Sequence, residues 1–379
     1  VRFFWLNLDA MTNKIFARKV YTGQEILKNQ LLTIANGKIL TIEPSVEVLD
    51  LKTVDNLAPG LFDIQVNGGE KYHFTERADE ATIDDIYQAS VNTGTAYVLP
   101  TMITSPLDKI LKGVEAVKNY RGKYPERGVP GMHLEGPFLN PVKRGAHLIE
   151  YVRKPSNQEL EEIVHYGKGV ISLITIAPEM FTPDQIEFLL ESGITVSAGH
   201  SNASYTEACD AFSKGIHLVT HLYNAMSGFA HREPGLVGAT FDTESVYAPI
   251  ILDGVHCDYG AARVAYKIKR DKLFLISDAL YLGEKVTSFK SGAFDAYLKD
   301  GKYINSDGNL AGATISLVDA VRNAVQLVGI PLQEAIEMAT IRPAKALGLE
   351  HQIGQIAAGR NAVFTKFDDA LSKFEVLSL

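Results

Sequence analysis

Cysteine is scarce in this sequence: Cys209 and Cys257 are the only two in 379 residues. Neither belongs to a Cys-x-x-Cys pair, so neither a disulfide framework nor a structural zinc cage is supported, and a reducing, cytoplasmic compartment is the expectation. Long hydrophobic runs are missing too. The longest, "GVISLITIAP" (169–178) and "YAPIILDGV" (247–255), fall short of the roughly 18 apolar residues of a spanning helix, and they read as buried strands. There is no excess of positive charge. A formal net charge of -8 argues against a sequence-independent grip on nucleic acid, which needs a basic face. If the ligand is an anion, its positive partners must be local. The opening "VRFFWLNLDAMTNKIF" has an apolar patch but no signal-peptide core or cleavage site; we expect Met11 to be the natural start and residues 1–10 an upstream extension. Internal repeats and low-complexity segments are absent.

What is present is 46% hydrophobic residues, enough to core one large domain, or one large and one small. Residues 15–56 hold short β-type stretches with turn punctuation, and the "NGK" among them signals a hairpin. From Leu57 apolar runs alternate with amphipathic segments. Eight candidate strands follow: 61–66, 95–101, 131–135, 170–177, 194–200, 217–222, 248–254 and 273–279. Helical segments lie between them; "TPDQ" (182–185) opens one with a Thr cap, a Pro in the first turn and a Gln three residues after the cap. Near-continuous apolar strands alternating with helices imply a parallel sheet covered by helices, and eight such units suit an α/β fold of the (β/α)8 TIM-like barrel type. The segment 290–317 reads as an inserted hairpin region leading into a helix. The tail 347–368 is again β-like and Gly-punctuated, so the two chain ends are expected to build one small β-sandwich. The expected division is 1–56 and 346–379 for that sandwich and 57–345 for the barrel.

Polar residues recur where the apolar runs stop. Gln65 and Asn67 close the first strand, Glu135 the third, His200 the fifth, His221 the sixth, His256 follows the seventh and Asp278 ends the eighth. In a barrel these ends converge on one face, where active sites are built. Any one of them alone fits a strand-end side chain bonded to a loop. Together, Glu135, His200 and His221 make a carboxylate and two imidazoles, a set suited to Zn²⁺ with a fourth position left for water. Asp278 is a candidate general base that takes a proton from that water and passes it to a departing amine. His147, after the turn Lys143-Arg144-Gly145, is a candidate hydrogen-bond donor to a carbonyl developing negative charge. His231 and Arg232, in "THLYNAMSGFAHREPGLVGA" (220–239), are the basic pair in reach, and Arg232 suits bidentate binding of phosphate. His165 and His351 lack such company. Cys257, beside His256, has no identifiable activator and reads as structural.

The segments "LAPGLFDIQVNGG", "HLEGPFLNPVKRGAH", "VSAGHSNASY", "THLYNAMSGFAHREPGLVGA", "DGVHCD", "LISDAL", "NLAGATISL" and "RPAKALGL" resemble, in order, those of the amidohydrolase superfamily, and within it the N-acetylglucosamine-6-phosphate deacetylases. The resemblance runs from Leu57 to Leu349. It implies hydrolysis of the N-acetyl group of N-acetylglucosamine 6-phosphate to glucosamine 6-phosphate and acetate, in amino-sugar catabolism. Carried over by position, Glu135, His200 and His221 hold a metal and Asp278 is the acid/base. Ala146 and His147 meet the acetyl end; Asn224, Ala225, Arg232 and His256 bind the sugar phosphate; and Leu310, Ala311 and Gly312 line the sugar. The same resemblance implies a homodimer in which Arg232 reaches the neighbour's site. One departure stands out. Many amidohydrolases carry His-x-His after the first strand and bind two metals, whereas this chain reads Gln65-Val66-Asn67, and neutral amides are poorer zinc ligands. A single divalent ion, Zn²⁺, is therefore expected. The rival readings are an amidohydrolase acting on a cyclic amide or dipeptide, which usually keeps His-x-His, and a non-catalytic sugar-phosphate sensor without a metal.

Overall fold

A computed structural model describes residues 12–47, 51–282, 287–291 and 294–379; Met11 and the proposed extension before it lie outside the described residues. The chain opens with β1 (Asn13–Tyr21), β2 (Ile26–Ala35), β3 (Lys38–Pro44) and β4 (Lys52–Pro59). Asn36 and Gly37 join β2 to β3, with φ of 52° and 70°. Two successive left-handed residues make the tight hairpin that Asn-Gly favours.

The parallel set follows: β5 (Leu61–Val66), β6 (Thr95–Ile103), β7 (Met132–Glu135), β8 (Ile171–Ile176), β9 (Thr195–Ala198), β10 (Leu218–Val219), β11 (Ala248–Ile250) and β12 (Leu273–Leu275). Strands β5 to β10 form one curled sheet in sequence order, and β11 pairs with β12. Every residue of β5 is buried, as expected of a strand covered on both faces. Helices between the strands supply the outer cover. The helix Pro183–Glu191 starts with the capping box read from "TPDQ", and Glu80–Thr93 is capped by Asp79 and stopped by Gly94 at φ 98°. The architecture is that of a TIM-like barrel.

Several ladders end sooner than the apolar runs suggest. β9 stops at Ala198, β10 at Val219, β11 at Ile250 and β12 at Leu275, short of the expected ends at 200, 222, 254 and 279. The backbone turns away there: His200, His221 and Asp278 have φ of 47°, 32° and 49°. Left-handed residues cannot continue a ladder, and a non-glycine one costs about 1–3 kcal/mol.

Three antiparallel strands, β13 (Ser288–Ser291), β14 (Phe294–Lys299) and β15 (Lys302–Ile304), form the inserted sheet before the helix Leu317–Asn323. Its buried residues Phe289, Ala296 and Tyr303 pack with Ile103, Leu280, Tyr281 and Ala311, and with partly buried Ala146 and Leu148. The insertion thereby sits against the loops that follow β6, β7 and β12. The chain ends with β16 (Val363–Phe367) and β17 (Phe374–Ser378). Both chain ends join one six-stranded sheet in the order β17-β16-β4-β1-β2-β3, with β1 and β4 parallel. It has its own core, in which Ile15, Leu32, Ile34, Leu57 and Phe364 are fully buried.

Candidate metal centre and its cavity

Glu135 is the last residue of β7, and His200 and His221 each lie two residues past their strands. Glu135 Oε1 is 3.1 Å from both His200 Nε2 and His221 Nε2, and the two imidazole nitrogens are 3.0 Å apart. All three residues are buried. His200 Nδ1 lies 3.0 Å from the carbonyl oxygen of Lys143. A carbonyl only accepts, so Nδ1 carries a hydrogen, and the tautomer that binds a metal turns the Nε2 lone pair toward Glu135. Lone pairs converging at this distance repel unless a cation lies between them. Ligands at about 2.0 Å in a tetrahedral zinc site are about 3.3 Å apart, close to the spacing observed. The donor set therefore fits a divalent ion, and the carbonyl of Lys143 fixes one of its imidazoles.

Asp278 sits beside this group. Its Oδ1 accepts from Gln65 Nε2 at 3.1 Å and Asn67 Nδ2 at 2.9 Å, while Gln65 Nε2 also donates to Glu135 Oε1 at 3.1 Å. Burial and the charge of Glu135 push the Asp278 carboxyl up to about 6. The ring of His147 lies 4.4 Å from that of His200, and its Nδ1 is 2.7 Å from Thr104 Oγ1. Burial, followed by the neighbouring His200, lowers its pKa to about 3, so the ring is neutral.

These groups line one cavity of about 430 Å³, a size that suits a small ligand. The structure brings Glu135, His147, His200, His221, Asp278, Ala146, Asn224, Ala225, His256, Leu310, Ala311 and Gly312 to its walls. Arg232 is the exception: it is exposed on the loop before the helix Gly235–Asp242 and is not among the residues of this wall. Cys257 is buried, and burial pushes its thiol up to about 12, as befits an inert side chain. Thr104, His73 and Asn309 also reach the cavity or its residues and were missed in the sequence. Thr104 directly follows β6, beyond the end expected at 101, so the strand-end rule passed it by. His73 and Asn309 sit in loops and carry no comparable signal.

The sequence profile of the amidohydrolase family matches residues 56–378. The chain is 36% identical over 358 residues to the N-acetylglucosamine-6-phosphate deacetylase of Haemophilus influenzae, spanning 92% of this chain and 93% of that one. It is 37% identical over 322 residues to the N-acetylgalactosamine-6-phosphate deacetylase of Shewanella sp. (strain ANA-3), spanning 84% and 80%. The crystal structure of N-acetylglucosamine-6-phosphate deacetylase from Pasteurella multocida superposes with a TM-score of 0.89 at 36% identity over 97% of each chain. Glu135, His200, His221 and Asp278 thus sit at the mouth of a barrel whose sequence profile and fold agree, and the chain belongs to the amidohydrolase family.

Proposed function

We propose that this protein hydrolyses the N-acetyl group of N-acetylglucosamine 6-phosphate, releasing acetate and glucosamine 6-phosphate in amino-sugar catabolism. The observation that carries the reading is the convergence of Glu135, His200 and His221 beside a buried Asp278, in a chain 36% identical to a deacetylase of that substrate. The 4-epimer, N-acetylgalactosamine 6-phosphate, is the second reading, favoured by the 37% identity to its deacetylase.

Glu135, His200 and His221 hold one divalent ion, zinc in this reading. Bound there, such an ion would supply Lewis-acid chemistry, making water more acidic and polarising the acetyl carbonyl. Asp278 takes the proton from the attacking water and delivers it to the sugar nitrogen as the C–N bond breaks. His147 donates to the carbonyl oxygen as negative charge grows; in the tautomer this requires, Nδ1 accepts from the Thr104 hydroxyl and the ring hydrogen is on Nε2. Ala146 borders the acetyl group, and Leu310, Ala311 and Gly312 border the sugar. Asn224, Ala225 and His256 bind the sugar phosphate, joined by Arg232 from the partner subunit of a homodimer.

The eight parallel strands close into a (β/α)8 barrel. Single parallel bridges from Leu218 to Tyr247 and from Val66 to Ala279 support that closure. The barrel occupies 57–345, and the small β domain of 1–56 and 346–379, expected as a sandwich, is built on the one six-stranded sheet, with β4 carrying the chain across the first boundary. We place the protein in the cytoplasm; among the described residues no helix is long and apolar enough to cross a membrane.

The test is acetate release from N-acetylglucosamine 6-phosphate, its galacto epimer and unphosphorylated N-acetylglucosamine, before and after chelation and zinc restoration. Release that prefers the phosphorylated gluco sugar and depends on the ion is expected. Preference for the galacto sugar replaces the substrate; release unaffected by chelation overturns the mechanism.

A further inference from the structure

The loop after β11 carries an acid–imidazole pair of which only His256 has a place in the reading above. Asp253 Oδ2 lies 2.6 Å from His256 Nδ1, and Asp253 Oδ1 accepts the backbone N–H groups of Val255 at 2.9 Å and His256 at 2.7 Å. Each side chain is only 6% exposed. Between them Gly254 has φ 72°, and a Cβ there would lie 3.1 Å from the Tyr259 ring. The turn is therefore held by one carboxylate and shaped by one glycine. Burial alone would push the Asp253 carboxyl up, but the hydrogen bond from the His256 ring, with those from the backbone N–H groups of Val255 and His256, holds the group below its usual range. An ionised carboxylate has no hydrogen to give, so Nδ1 must carry one. The other ring nitrogen, Nε2, is left for the cavity that His256 lines with Asn224, Ala225 and Asp278.

We propose that Asp253 is a positioning residue for the phosphate of the substrate: it orients His256 and balances the second ring proton that an anion bound at Nε2 requires. A phosphate dianion offers only acceptors, so it can be met only by a ring that donates from Nε2. With Nδ1–H already engaged, that ring is an imidazolium lying between two anions, and no other placement of its protons satisfies both. The inference rests on the sugar-phosphate reading of the cavity and names how that reading is implemented.

Asp253→Asn keeps the size and one acceptor oxygen but removes the charge. Relative to wild type, it is expected to raise KM for N-acetylglucosamine 6-phosphate about tenfold, the scale of a lost charged hydrogen bond. KM for unphosphorylated N-acetylglucosamine should move less than twofold, so the preference for the phosphorylated sugar shrinks. In a His256→Ala background the same substitution should add nothing. Nitrogen-15 NMR of wild-type enzyme, with His256 identified by the signals His256→Ala loses, should show Nδ1–H in the free protein and both nitrogens protonated when phosphate binds. An Nε2–H ring in free wild type overturns the proposal without any variant. So does an equal KM rise on both sugars, or an Asp253→Asn effect that persists without His256. Absence of acetate release by wild type from either sugar overturns the deacetylase reading instead, and the ring signals still judge the pair.

Discussion

Asp63, the third residue of β5, is 1% exposed, and its Oδ1 accepts the N–H groups of Gln65 at 3.3 Å and Ser277 at 3.2 Å. It ties the end of β5 to the segment that delivers Asp278. Burial pushes this carboxyl from 3.8 up to about 7, against the hydrogen bonds from Ser277 and Gln65. The folded protein then holds the proton more tightly than the unfolded chain between about pH 4 and pH 7. The group's contribution to stability is intact below pH 4 and is lost as pH rises through 7, because the folded state binds more protons over that window. Each unit is worth about 1.4 kcal/mol, so a shift of about three units amounts to roughly 4 kcal/mol across the window. Asp63→Asn has nothing to titrate there. Urea unfolding of metal-free wild type and Asp63→Asn should therefore give stabilities that diverge between pH 5 and pH 8, the variant gaining about 3 kcal/mol on wild type as pH rises. All other titrating groups are common to both proteins, and any fixed cost of the amide drops out of the slope. Parallel curves, within about 1 kcal/mol, would refute the reasoning.

Chelation should abolish acetate release and zinc should restore it, with elemental analysis finding one ion per chain; Glu135→Gln should lose that ion, and full metal content in the variant would remove Glu135 from the ligand set. Asp278→Asn should lower kcat by about a thousandfold, within the range for general acid–base catalysis, while calorimetry still detects substrate binding. Arg232→Ala should raise KM for the phosphorylated sugar about tenfold, a scale typical of a lost charged hydrogen bond, with no matching effect on the unphosphorylated one. Lys269 donates to the carbonyl oxygens of Thr240 at 2.9 Å and Thr243 at 2.7 Å, at the end of the helix Gly235–Asp242. Lys269→Met strands those acceptors and should cost about 2 kcal/mol in unfolding experiments, leaving turnover per folded molecule unchanged.

The features legible in the sequence are those whose cause is local. The Asn36-Gly37 turn and the Thr182 capping box are each specified within four residues. β5 was delimited correctly because Leu61, Phe62, Ile64 and Val66 keep the run apolar around Asp63 and Gln65 until Asn67 ends it. The meeting of Glu135, His200 and His221 was also legible, since each stands where an apolar run stops and a parallel sheet gathers such ends on one side. The true strand ends were not, because the left-handed turns at His200, His221 and Asp278 leave no trace in hydrophobicity. Pairings across the fold were equally silent. Thr104 meets His147 from 43 residues away, and the parallel pairing of β1 with β4 joins strands separated by β2 and β3. Asp253 lies within three residues of His256, but a carboxylate at that spacing is common on loops. Only the 2.6 Å contact distinguishes it.

The amides at the end of β5 fit the single ion proposed above. A carboxylate can only accept, so Gln65 and Asn67 turn their NH₂ groups toward Asp278, and Gln65 spans Glu135 as well. Imidazoles in those places could present lone pairs and so hold a second cation beside the two carboxylates. With donors there instead, the partial positive charge of two amide groups faces those carboxylates. Asp278 is then restrained by hydrogen bonds alone and keeps its oxygens available for protons. A carboxylate bound directly to a second cation would be a weaker base, since the cation stabilises its charged form. Gln65 and Asn67 thus fit the proposed division of labour, in which Asp278 transfers protons and an ion held by Glu135, His200 and His221 would be the electrophile.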